Sequence, residues 1–78
     1  MGVNIKMKLH EAIVTILKEH KGKLSTIEIA KEINNRQLYR KKDGSKVQAI
    51  QIFLRCRSPM YRRLFNEVSQ EYITLDIV

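Results

Sequence analysis

The sequence predicts an α+β fold: a winged helix-turn-helix of three helices, a short strand and a C-terminal β-hairpin wing. Three observations lead there. Two early stretches repeat apolar residues with the helical period and carry capping signals. A third, Ser45 to Arg57, has the same character and stops ahead of Pro59. Beyond Pro59 the apolar period drops to two, the signature of paired strands.

From about Lys6 to His20, Leu9, Ala12, Ile13, Ile16 and Leu17 recur at i, i+3, i+4, i+7 and i+8, an amphipathic helix. Gly22 ends it, since glycine accepts the left-handed conformation of a C-terminal cap. Lys23-Leu24 has the length of one small bridging strand. Ser25-Thr26-Ile27-Glu28 reads as a capping box and opens a second helix, buried through Ile27, Ile29, Ala30 and Ile33 and fraying at Asn34-Asn35. Leu38 and Tyr39 anchor the following loop, and Arg40 to Gly44 form a charged turn.

The third helix is expected over Ser45–Arg57, with Ser45 and Gln48 as its capping box. Wound at ~100° per residue, it turns Val47, Ile50, Phe53 and Leu54 to one side, flanked by Ala49 and Cys56. Gln48, Gln51 and Arg55 form a polar stripe on the other side. Pro59 pushes Ser58 out of the helical region and closes the helix. In the hairpin, Leu64, Asn66 and Val68 alternate with Phe65 and Glu67, Phe65 being the expected core member. Ile73, Leu75 and Ile77 alternate with Tyr72, Thr74 and Asp76 across a turn near Ser69–Glu71. That alternation argues against the competing reading, a three-helix bundle with a disordered tail. The turn between the second and third helices is about nine residues, longer than the ~3–4 of the usual helix-turn-helix.

The 78 residues suit one domain, 1–78, with its core over about 6–77. No run approaches the ~18 apolar residues of a membrane span, and no signal peptide is expected. A single cysteine forms no internal disulfide, which points to a reducing, cytoplasmic, nucleoid or nuclear setting. Cys56, on an apolar flank with no paired base, reads as a buried structural thiol. The net charge of +7 is segregated: +2 over residues 1–35, +8 over 36–63 and −3 over 64–78. The central block holds nine basic residues against Asp43 alone, which marks a surface for a polyanion.

The segments EAIVTILKEHKGKLSTIEIAKEI, LYRKKDG, YRRLF and YITL together resemble the HARE-HTH domain. This winged-helix module occurs in Asx-like chromatin proteins, the delta subunit of bacterial RNA polymerase and some restriction endonucleases. The resemblance spans about residues 6–77 and rests on apolar positions. It implies a DNA-associated module, typically fused to effector domains that it brings to DNA, so two readings stand side by side: a single winged-helix domain on its own, or a module of a longer protein. It further implies that Ser45–Arg57 is the recognition helix and Leu64–Leu75 the wing. One departure stands out: the wing turn Ser69-Gln70-Glu71 has no basic residue, so no arginine tip is available for the minor groove.

The expected ligand is double-stranded DNA. Glutamine pairs bidentately with adenine and arginine with guanine, and Gln48, Gln51 and Arg55 share one helix face. Any soluble helix shows polar residues outward, so phosphate contact is weighted above base reading. Lys41, Lys42 and Lys46 cluster where the helix N-terminus already favours anions, and Arg62 and Arg63 enter the hairpin from the far end. The alternative is a protein-interaction module whose basic face docks an acidic partner, such as a polymerase or effector domain. Three scattered tyrosines make a poor platform for single strands. His10 and His20 lie ~280° apart around the first helix, and with one cysteine no zinc site is expected. Neither a cofactor nor catalysis is expected, because no nucleophile, P-loop or matched carboxylate pair is present.

Overall fold

The five apolar residues spaced for one face of the first helix all reach the core, as their spacing predicts: Leu9, Ala12, Ile13, Ile16 and Leu17 are buried, while Val14 is half-buried at the edge of that face. The computed structural model describes residues 7–41 and 43–75. It places helix α1 at Leu9–Glu19, strand β1 at Lys23–Ser25, helix α2 at Thr26–Arg36 and helix α3 at Ala49–Arg57. A 3-10 turn at Arg62–Leu64 then leads to strands β2 (Glu67–Val68) and β3 (Tyr72–Thr74). The three strands form one antiparallel sheet in the order β1-β3-β2, with Leu24 opposite Ile73 and Val68 opposite the same residue. Three helices and a three-stranded antiparallel sheet around one core make this a small α+β domain. The helix expected from about Lys6 begins at Leu9, with Lys8 as its extended N-cap, and β3 ends at Thr74, ahead of Leu75; Lys6, Asp76 and Ile77 themselves lie outside the described residues.

The links between elements follow the local chemistry. Lys21 and Gly22 both take positive φ after α1, and the Gly22 N–H donates to the Leu17 carbonyl at 2.7 Å, closing the helix. The chain then turns directly into β1, and the Leu75 N–H donates back to the Gly22 carbonyl. Ser25 caps α2 as expected, its Oγ accepting from the Glu28 N–H at 3.1 Å. Phe65 is buried and Leu64 is exposed, again as expected.

Four expectations need correction. Ile27 is 69% exposed rather than buried. Thr26, ~100° away around the helix, takes the inward place, and its Oγ1 donates to the Gln70 carbonyl at 2.7 Å. Asn34 and Asn35 do not fray α2, which runs on to Arg36; Gln37 then closes it in the left-handed conformation. The stretch entering the hairpin is a 3-10 turn over Arg62–Leu64, so strand β2 is confined to Glu67–Val68.

The fourth correction concerns α3. It begins at Ala49, not Ser45, and its buried residues are Ile52 and Cys56. Ile50 and Leu54, expected in the core, are each 50% exposed. Phe53 is half-buried. Ser45 is drawn away from the capping role because its N–H and Oγ both donate to Asp43 Oδ1, at 2.9 and 2.7 Å. Gln51 caps instead, its Oε1 accepting from the Gln48 N–H at 2.9 Å. Val47, just ahead of the cap, and Ile52, four residues into the helix, are both buried in the core. That is the placement of a hydrophobic staple, and it sets the phase of the helix.

Cys56 is fully buried, and its burial pushes the thiol up to about 12, the nearby Arg55 opposing this only in part. A thiol reagent should therefore modify Cys56 slowly in the folded chain and rapidly after denaturation; fast labelling of the folded chain would reverse the assignment. The linkage has a definite sign. The unfolded thiol ionises near ~8.5, so the stability gained by keeping Cys56 protonated is complete below that pH. It is lost as pH rises from there toward about 12.

Candidate nucleic-acid interface

The basic residues around α3 stand on short connections whose geometry is set by the core. Lys46 lies exposed just ahead of Val47, whose backbone is held by Asn34: Asn34 Oδ1 accepts from the Val47 N–H and Asn34 Nδ2 donates to its carbonyl, both at 3.0 Å. Lys41 is half-buried in the preceding loop, while Lys42 lies outside the described residues. Beyond the far end of α3, Arg62 and Arg63 are exposed on the 3-10 turn, where the Arg62 N–H donates to the Ser58 carbonyl. Arg57, in the last turn of α3, is exposed as well.

Most of this charge has no internal counterpart. Among the described residues the ion pairs both involve Arg36, which reaches Glu19 at 2.6 Å and Glu32 at 3.1 Å. The hydrogen bond from Arg36 holds Glu19 below the usual carboxylate range. Arg36 therefore leaves the basic block in effect, compensated by acids from α1 and α2. Asp43, the acid within the block, is held low mainly by the backbone and side-chain hydrogen bonds from Ser45. No carboxylate of the described residues forms an ion pair with Lys41, Lys46, Arg57, Arg62 or Arg63.

The polar stripe of α3 does not face open solvent as a unit. Gln48 is exposed at the cap, but Gln51 and Arg55 are half-buried along a groove of about 290 Å³. Gln51 has its Oε1 committed to the cap. The Arg55 guanidinium lies 5.6 Å from the Tyr61 ring centre, and the His10 ring stacks on the same tyrosine at 4.1 Å and 20°. Sequence reasoning placed neither His10 nor Tyr61 at the site, and their separation in the chain leaves no local signal for it. Arg57 was legible as charge but not as an exposed neighbour of Leu54.

The hairpin turn is held against the start of α2. Thr26 N–H donates to the Glu71 carbonyl at 2.9 Å, and Ser69 Oγ accepts from the Tyr72 N–H at 3.0 Å. The turn is thus short and tied back. No helix of the described residues is long and apolar enough to cross a membrane, and no cluster of three potential metal ligands occurs among them. Comparison of the chain with family models, curated proteins and solved structures finds no match in any of the three.

Proposed function

We propose that this chain is a winged-helix module of the HARE-HTH type that holds duplex DNA by its phosphates around α3 and recruits or regulates an associated activity. One observation carries the reading: Lys46 before α3 and Arg57, Arg62 and Arg63 at and beyond its end are exposed and without carboxylate partners among the described residues. Cations left free at both ends of one helix suit a polyanion whose charges are spaced along a backbone. The element order and the β1-β3-β2 sheet, with a short hairpin last, are consistent with the winged-helix topology. Phosphate anchoring through Lys41, Lys42, Lys46, Arg62 and Arg63 leads in this reading. Base contact falls mainly to Gln48, since Gln51 and Arg55 already have partners within the chain.

Each phosphate contact releases counterions, so log affinity for random duplex should fall linearly with log salt. Four or five contacts give a slope of about −4. Lys46→Ala should flatten the slope by about one unit without changing preference among sequences. Gln51→Ala, which removes no charge, should leave it unchanged. Absence of a mobility shift on any duplex at about 50 mM salt would refute the proposal.

A further inference from the structure

Ile50 and Leu54 are the part of α3 that phosphate contact does not use. They sit one helical turn apart on the same face, each 50% exposed. Leu54 also lines the groove of about 290 Å³, together with the buried Leu9 and Val47 and the rings of Tyr39 and Tyr61. Two cations, Lys41 and Arg55, line the same groove. Arg57, three residues past Leu54, adds a third, its guanidinium 5.6 Å from the Phe53 ring centre. The result is an apolar row that runs into a groove of mixed lining, in which Leu9, Val47, Tyr39 and Tyr61 stand beside Gln51 and Ser58, and that is bordered by positive charge.

Three occupants compete for such a surface. A duplex offers stacked bases and phosphates, with no projecting side chain to enter the groove. A second copy of this chain would bring Arg55 and Arg57 of each copy together, on molecules that each carry +7, and like charges facing one another in an interface disfavour that pairing. An acidic amphipathic helix meets both requirements, apolar side chains for the row and carboxylates for its border. We propose that Ile50, Leu54 and the adjoining groove dock an acidic amphipathic helix of a protein partner. One apolar residue of that helix enters the groove between Tyr39 and Tyr61, its neighbours cover Ile50 and Leu54, and its carboxylates face Lys41, Arg55 and Arg57. The proposal stands on the exposed apolar row and does not require the DNA reading.

The probe is a synthetic helix of leucine, glutamate and alanine with its leucines on one face, and the control is a peptide of the same composition with the leucines dispersed. Fluorescence polarisation on the full chain should show saturable binding of the patterned peptide and about 10-fold weaker binding of the dispersed one. Ile50→Ser and Leu54→Ser should each weaken the patterned peptide roughly 5- to 10-fold, with duplex affinity held and the chain still folded at the temperature of the assay. Arg57→Gln should weaken both peptides alike. The proposal is overturned by equal affinity for the two peptides, by full peptide affinity in Leu54→Ser, or by no saturable binding of the patterned peptide. It is also overturned if the serine variants lose duplex affinity while keeping peptide affinity, which would assign the row to thymine methyl groups. Failure of the DNA reading alone would appear as absent duplex binding with the peptide results intact.

Discussion

Ile52→Ala should destabilise the domain by about 2–5 kcal/mol, while Ile50→Ala, two residues away on the same helix, should cost under about 1 kcal/mol. Ile52 is fully buried in the cluster that includes Ile13, Ile33 and Ile73, so truncation removes apolar contacts and leaves a cavity. Ile50 has half its surface in water already, and shortening it leaves no enclosed void. In a domain of 78 residues each kcal/mol moves the melting temperature by about 4–8 °C. The Ile52 variant should therefore melt at least roughly 10 °C lower, if it folds at all, and the Ile50 variant close to the parent. Thermal melts of the two side by side decide the matter. Equal losses would contradict the observed phase of α3.

That phase is where the sequence was least legible. In α1 the polar residues Glu11, Thr15 and Lys18 fall together opposite Leu9, Ala12, Ile13, Ile16 and Leu17, so just one face can be inward. In α3 the run Ala49-Ile50-Gln51-Ile52-Phe53-Leu54 has apolar residues around most of the helix, and two i, i+4 pairs compete: Ile50 with Leu54, and Ile52 with Cys56. By size the first pair is the better core candidate. The second is chosen because the chain enters the helix through Val47, pinned by Asn34, and Gln51 rather than Ser45 supplies the cap. Both determinants depend on tertiary placement or on a loop contact at Asp43, neither of which periodicity records. The same limit applies to charge. Arg36 reads as one more cation of the basic block, yet folding brings Glu19 from a different helix against it. The groove draws on residues from Leu9 to Tyr61 and is a product of packing alone. The Ser25 cap and the burial of Phe65 were legible because each follows from a local pattern.

Asn34→Ala should be the most damaging polar substitution, at about 1.5–3 kcal/mol. The Asn34 amide accepts from the Val47 N–H and donates to the Val47 carbonyl, holding both backbone groups of a residue that is 4% exposed. Each such bond contributes about 0.5–1.5 kcal/mol, and removal leaves a partly buried donor and acceptor without partners, at a further cost. Alanine recovers up to about 0.7 kcal/mol in helix propensity, which offsets part of the loss. Asn34→Asp keeps the acceptor for the Val47 N–H but sets a carboxylate against the Val47 carbonyl, so it should rescue little. Asn35→Ala is the control: that residue is exposed and its side chain makes no hydrogen bond among the described residues, so the same propensity gain should leave stability equal or slightly higher. Because Val47 leads directly into Gln48 and α3, loss of the clamp should also speed hydrogen exchange at the Gln51 and Ile52 amides, which donate to the Gln48 carbonyl. If Asn34→Ala and Asn35→Ala melt together and exchange alike at those amides, Asn34 does not fix the start of α3.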